Sequence, residues 1–135
     1  SLFLPLVWNN IDMKKVLITD DDPRMVEIIK SAFEPFEDEF ELFTANNGQS
    51  ALKKVREHRP DLLILDLMMP NGHGYAVCRE IRADVTLNEM RILVVSAKYF
   101  PQDQKDVLNL GADAFMPKPC SLKQILQQSR LLLEQ

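Results

Sequence analysis

Leu62-Leu63-Ile64-Leu65 sets four large apolar side chains in a row. Successive side chains on a strand point to opposite faces, so a strand of this composition needs apolar cover on both sides. That requirement suits a central parallel strand with helices packed above and below it. The run is short enough for a strand, and Met69-Pro70-Asn71-Gly72 breaks the chain soon after it.

The rest of the chain repeats this alternation. Val16-Leu17-Ile18-Thr19 is a second short apolar run, stopped by three aspartates and Pro23. Met25, Ile28, Ile29, Ala32, Phe33 and Phe36 then recur at helical offsets, predicting one apolar stripe on a helix that Pro35 ends. Glu39 to Thr44 alternates charged and apolar residues as a strand does, and Ala51, Leu52 and Val55 mark a second helix closed by Arg59-Pro60. Beyond the central run, a helix fits Tyr75 to Ala83, a strand Ile92 to Val95, and a helix Gln102 to Leu110 ended by Gly111. Ala114-Phe115-Met116 makes a short fifth strand, and Leu122, Ile125, Leu126, Ser129, Leu132 and Leu133 a final amphipathic helix. Five strand-helix alternations predict an α/β fold: a doubly wound, five-stranded parallel sheet with right-handed crossovers and five helices, in three α/β/α layers.

A chain of 135 residues with 46% apolar composition fills one core, and residues 13–135 are expected to form that single domain. Met13 looks like a natural start, so residues 1–12 read as an upstream linker, a misplaced start or added sequence. Leu2 to Trp8 is apolar but short and interrupted by Pro5, which fits neither a membrane span nor a signal peptide. A formal charge of -4 without a clustered basic face argues against nucleic-acid binding. Cys78 and Cys120 are spaced unlike zinc ligands and are expected to be free thiols.

Sheets of this kind bind ligands beyond the carboxyl ends of their strands, where the strand order reverses. Asp20, Asp21 and Asp22 follow the first strand, Asp66 the third, Ser96 ends the fourth, and Lys118 follows the fifth. With strand one between strands two and three, these side chains converge at one edge. Clustered carboxylates repel and raise one another's pKa unless a cation compensates, and Mg²⁺, which favours oxygen ligands, is the natural choice. An aspartate beside Mg²⁺ and a lysine can attack phosphorus, with Ser96 donating to a phosphoryl oxygen. Taken singly each residue has a plainer reading: Asp22 before Pro23 is a helix N-cap, Asp20 and Asp21 are turn residues or ligands, Ser96 is a turn residue, and Lys118 is solvated. Their combination at four strand ends favours the site.

Four motifs carry a family resemblance: Val16-Leu17-Ile18-Thr19-Asp20-Asp21-Asp22-Pro23, Leu63-Ile64-Leu65-Asp66-Leu67-Met68-Met69-Pro70 with Gly74 beyond it, Leu93-Val94-Val95-Ser96-Ala97, and Gly111 to Pro119. From Lys14 to about Leu133 the chain resembles the receiver domains of two-component response regulators. The resemblance implies a flavodoxin-like sheet of order 2-1-3-4-5 and phosphorylation of Asp66 by a histidine kinase or histidine phosphotransfer protein. It implies Mg²⁺ held by Asp21 and Asp66 directly, by Asp20 through water, and by the backbone carbonyl of Met68. Lys118 would pair with the phosphoryl group, Ser96 would move to contact it, and Phe115 would turn inward. The fourth helix, fifth strand and fifth helix would form the switching surface and a homodimer face, and the chain would be a cytoplasmic phosphoacceptor switch rather than an enzyme acting on other molecules. Met68 and Lys98, two residues after Asp66 and Ser96, would border the water that hydrolyses the phosphoryl group and set its lifetime. A cis Lys118-Pro119 bond is also expected. His73 and Cys120 depart from the usual pattern, and His73 is expected to be a solvated loop residue.

Two other readings compete. A degenerate receiver would serve only as a protein-binding module, but every site residue is present. A haloacid dehalogenase-type phosphatase would need an acidic pair after the lysine, and only Glu134 follows Lys118.

Overall fold

A computed structural model describes residues 13–97 and 101–135. The elements run β1 (Lys14–Thr19), α1 (Pro23–Ser31), β2 (Phe40–Ala45), α2 (Gly48–His58), β3 (Leu62–Leu65), α3 (His73–Ala83), β4 (Arg91–Ser96), α4 (Pro101–Asn109), β5 (Ala114–Pro117) and α5 (Leu122–Leu133). The five strands form one sheet in the order β2-β1-β3-β4-β5, every pair parallel. Register aligns Leu17 with Phe43 and Leu63, Leu65 with Val94, and Ser96 with Pro117. The strands therefore end together, and the residues that follow them meet at one edge.

The apolar strands feed two cores, one on each face. Val16, Ile18, Leu62, Ile64, Leu93 and Val95 pack with Val26, Ile29 and Phe33 from the α1 side and Ile125 and Leu132 of α5. Leu17, Leu63, Leu65 and Val94 pack on the opposite face with Ala51 and Val55 of α2, Val77, Cys78 and Ile81 of α3, and Val107 of α4. This three-layer, flavodoxin-like arrangement matches the expected fold. Among the described residues no helix is long and apolar enough to cross a membrane. Cys78 is buried and Cys120 half-buried, both as free thiols.

Helix ends follow local chemistry. Asp22 caps α1, accepting from the Arg24 amide at 2.9 Å, with Pro23 in the first turn. Ser121 and Gln124 form a reciprocal capping box at the start of α5. The first helix departs from the predicted stripe: it ends at Ser31, and Glu34–Phe36 forms a separate 3₁₀ turn. Pro35 has no N–H to give and disfavours helical geometry at the residue before it, so the chain tightens early into i−3 bonds from Ala32 and Phe33. Phe36 thus leaves the core and lies 4.5 Å beneath the Arg130 guanidinium, which also grips Glu39 through bonds of 2.9 and 2.7 Å. His73 is not the solvated loop residue expected: it opens α3, half-buried, and a side chain on Gly48 would stand 3.0 Å from its Cβ.

Ser129, on the buried face of α5, is fully enclosed, and its hydroxyl has no hydrogen-bond partner among the described residues. Burying an unpaired hydroxyl is unfavourable, and alanine is the better helix former. Ser129→Ala is expected to stabilise the fold by about 1 kcal/mol, read as a higher urea midpoint with an unchanged slope.

Candidate functional site

The aligned strand ends bring Asp20, Asp21, Asp66, Ser96 and Lys118 toward one place. One ligand oxygen from each of the three aspartates lies within 4.8 Å of the others; Asp20 and Asp66 are buried and Asp21 is exposed. Asp20 is fixed by two bonds: its Oδ1 accepts from the Asp22 amide at 3.0 Å, and its Oδ2 from Lys118 Nζ at 2.8 Å. Asp66 is anchored through its own amide, which donates to the Thr19 carbonyl at 3.1 Å, and its Oδ1 accepts from the Met68 amide at 3.0 Å. Its Oδ2 faces Lys118 Nζ at 3.7 Å.

Burial pushes the Asp66 carboxyl above the usual carboxylate value. The Met68 amide, Lys118 and the Ser96 hydroxyl, which donates to Asp66, pull it back, while the Asp20 charge adds to the rise. For Lys118 burial works downward, but the Asp20 bond and the charges of Asp66, Asp20 and Asp21 outweigh it, so its pKa is raised. Lys118 thus stays charged, facing a buried carboxylate pair. Three oxygen-bearing groups with an unfavourably buried Asp66 fit a hard divalent cation such as Mg²⁺, and no nitrogen or sulfur ligand stands among them.

Ser96 is fully buried at the end of β4, and its carbonyl accepts from the Lys118 amide at 2.9 Å, tying the two strand ends together. The Lys118-Pro119 bond is cis, as expected. Phe115 lies on β5 opposite Val94, half-buried against the core beneath α2, α3 and α4. Met68 follows Asp66 with 54% of its surface exposed. Lys98 and residues 1–12 lie outside the described residues.

Some determinants of the site carry little signal in the sequence. A side chain on Gly74 would stand 2.7 Å from the Asp66 carbonyl oxygen and from Leu67 Cα, so the absence of one lets α3 press on the backbone that carries Asp66. The motif includes Gly74, but only the packing shows why. Both contacts are main chain and cannot rotate away, so Gly74→Ala is expected to cost about 1–3 kcal/mol of stability and to displace Asp66. Thermal unfolding and the Mg²⁺ titration of the variant check both effects. Arg82 was also missed: its bonds to distant carbonyls leave no pattern along the chain.

The comparisons agree with this geometry. Residues 16–130 match the family model described as the response regulator receiver domain. The chain is 33% identical over 120 residues to the alkaline phosphatase synthesis transcriptional regulatory protein PhoP of Bacillus subtilis, covering 89% of this chain and 48% of PhoP. It is 37% identical over 119 residues to the response regulator MprA of Mycobacterium leprae, covering 88% and 50%. The chain thus spans about half the length of these curated relatives. The receiver domain of Francisella response regulator 1452 superposes with a TM-score of 0.80 at 26% identity, covering 90% of this chain and 97% of that one. The signal receiver domain of a signal transduction histidine kinase from Syntrophus aciditrophicus gives 0.79 at 30% identity, covering 90% of each. On fold, strand-end residues and these likenesses together, the chain belongs to the response regulator receiver domain family of two-component signalling systems.

Proposed function

We propose that Asp66 accepts a phosphoryl group from a histidine kinase or histidine phosphotransfer protein, with Mg²⁺ at the acidic cluster. The observation that carries this reading is the state of Asp66. It is buried, its Oδ1 is occupied by the Met68 amide, and its Oδ2 is turned toward Lys118. Asp20, Asp21 and Asp66 would hold the ion, with the Met68 carbonyl as a further ligand. When bound, Mg²⁺ offsets charge on the transferring phosphoryl oxygens.

Oδ2 of Asp66 is the nucleophile, because Oδ1 is engaged. A bond forms from Oδ2 to phosphorus as the bond from phosphorus to the donor's imidazole nitrogen breaks. Lys118 meets the incoming oxygens with its ammonium, and the Ser96 hydroxyl turns from the carboxylate to donate to one of them. Withdrawal of Ser96 gives Phe115 room to turn inward, so the surface of α4, β5 and α5 changes. Leu108 on α4 and Leu122 and Leu131 on α5 are exposed, which supports this surface as a contact face for a second copy or an output partner. The domain then acts as a phosphoacceptor switch, catalysing only its own phosphorylation and dephosphorylation.

Acetyl phosphate and Mg²⁺ are expected to place one acid-labile label on Asp66, mapped by mass spectrometry after borohydride reduction. Labelling elsewhere, or labelling that a chelator leaves intact, overturns the assignment. Only ionised Asp66 attacks, and Mg²⁺ at the cluster would favour that form against the burial that raises its pKa in the metal-free protein.

Hydrolysis is proposed to be slow, because the exposed Met68 thioether offers the attacking water neither a base nor a hydrogen bond, and Lys98 is placed in sequence to cover the phosphoryl group. Met68→Asn and Lys98→Glu are expected to shorten the lifetime measured after removal of the donor. Equal decay in the parent, each variant and the double variant would refute this role.

A further inference from the structure

Among the five helices, α4 has the least apolar anchorage, with Val107 its single buried residue. A line of polar contacts from α3 adds to this, one to the first turn of α4 and the others to the chain beyond its last residue and around β4. Tyr75, Cys78 and Arg82 fall on one face of α3, at offsets of three and seven. The Tyr75 hydroxyl donates to Asp103 Oδ1 at 3.1 Å in the first turn of α4. Cys78 Sγ lies 3.9 Å from the Leu110 carbonyl. Arg82 donates to the carbonyls of Gly111 at 2.8 Å, Met90 at 2.7 Å and Leu87 at 3.3 Å, and to the Asp113 carboxylate at 2.9 Å.

The two ends are held differently. Arg82 ties the chain after α4 to the loop before β4 and to the start of β5, and Asp113 also accepts from the Ile92 amide. Gly111 has φ +110°, and a side chain there would stand 2.6 Å from Arg82 Cγ, so this end is locked by shape as well as by charge. The Tyr75 end connects elsewhere. Gly74, its neighbour, is packed without clearance on the Asp66 and Leu67 backbone. Any displacement of that backbone reaches Tyr75 directly, and through it the first turn of α4.

We propose that Tyr75 is a positioning residue whose bond to Asp103 ties the first turn of α4 to the Asp66 loop, while Arg82 fixes the other end as a pivot. This deepens the reading of Asp66 as phosphoacceptor and rests on it for the signal that is passed. The tie itself does not depend on phosphorylation.

The test is Tyr75→Phe, which keeps the ring and removes only the hydroxyl. Hydrogen exchange by NMR, without any phosphoryl mimic, is expected to speed up roughly fivefold to tenfold at the Lys105 and Asp106 amides, on the scale of one hydrogen bond lost from a local opening. The Ala112 amide, which donates to the Val107 carbonyl at 3.1 Å beside the Arg82 anchor, is expected to keep its rate. In an Asp103→Ala background, Tyr75→Phe is expected to add little, as for two partners in one bond. Unchanged exchange, or equal acceleration at Ala112, overturns the tether. The second measurement adds beryllofluoride and Mg²⁺. Shifts at Asp66 to Met69 are expected to persist in Tyr75→Phe, while those at Lys105 to Asn109 fall below half their parent size. Full-sized shifts there overturn the positioning role. A parent protein with no response at Asp66 to Met69 refutes the phosphoacceptor reading instead, and the exchange comparison still decides the tether.

Discussion

Asp66→Asn is expected to abolish labelling by acetyl phosphate while making the folded protein more stable. Loss of labelling follows from the chemistry: an amide oxygen is a poor nucleophile toward phosphorus, and the other aspartates stand in different relations to Lys118 and Ser96. The gain in stability follows from burial. Asp66 has a raised pKa in the folded state, so its ionised form is less favourable there than in the unfolded chain. Asparagine keeps the shape and an acceptor for the Met68 amide without that charge. A gain of about 0.5–2 kcal/mol at neutral pH is expected, the usual scale when a strained functional group is neutralised. The sign of the pH dependence is fixed. The parent's penalty is fully present above the raised pKa of Asp66 and shrinks as pH falls through that value to below the ordinary carboxylate range, where both states bind the proton. Urea unfolding of parent and variant should therefore diverge at neutral pH and converge in acid. A variant less stable than the parent at neutral pH would show that ionised Asp66 contributes favourable bonds exceeding its burial cost.

Lys118→Met is expected to have the opposite effect on stability and nearly as large an effect on labelling. Methionine keeps much of the apolar stem but removes the ammonium 2.8 Å from Asp20 and 3.7 Å from Asp66. Asp20 is 1% exposed, and taking one partner from a buried ion pair costs about 3–5 kcal/mol. Protonation of a carboxylate relieves part of this, so the loss should be smaller at acid pH than at neutral pH. The Lys118 pKa is itself raised, so its contribution persists throughout the pH range below the ordinary lysine value and is lost only as pH rises through the raised one. Labelling is expected to slow by about 10²–10³, the scale for removing one group that meets developing oxyanion charge. Without Mg²⁺ the Asp66 pKa should also climb, because the Lys118 charge that pulls it down is gone. A full labelling rate in this variant would remove Lys118 from the reaction.

The sequence showed most clearly what depends on local pattern. The runs Val16 to Thr19 and Leu62 to Leu65 are short and almost wholly apolar, which suits buried strands, and the chemistry-bearing residues could be sought just after them. Asp22 showed its capping role because Pro23 follows it. The end of α1 was harder to read, because Phe36 continued the helical offsets although Pro35 had already forced the chain into a tighter turn. Arg82 and Tyr75 were invisible for a different reason. Their partners lie 31 and 28 residues away at Asp113 and Asp103, and no periodicity links residues that meet only after a crossover. Gly74 was noticed without its reason, since the backbone it lies against can be identified only once α3 is docked on the loop after β3.

The bond between Lys118 and Asp20 joins residues 98 positions apart. During synthesis the aspartates emerge long before the ammonium that balances them, and no shorter fragment of the chain contains both. The site is complete only when β5 has joined β4, because that strand end delivers Lys118. A chain whose last strand is still undocked thus carries the repulsion of the acidic cluster without its internal counter-charge.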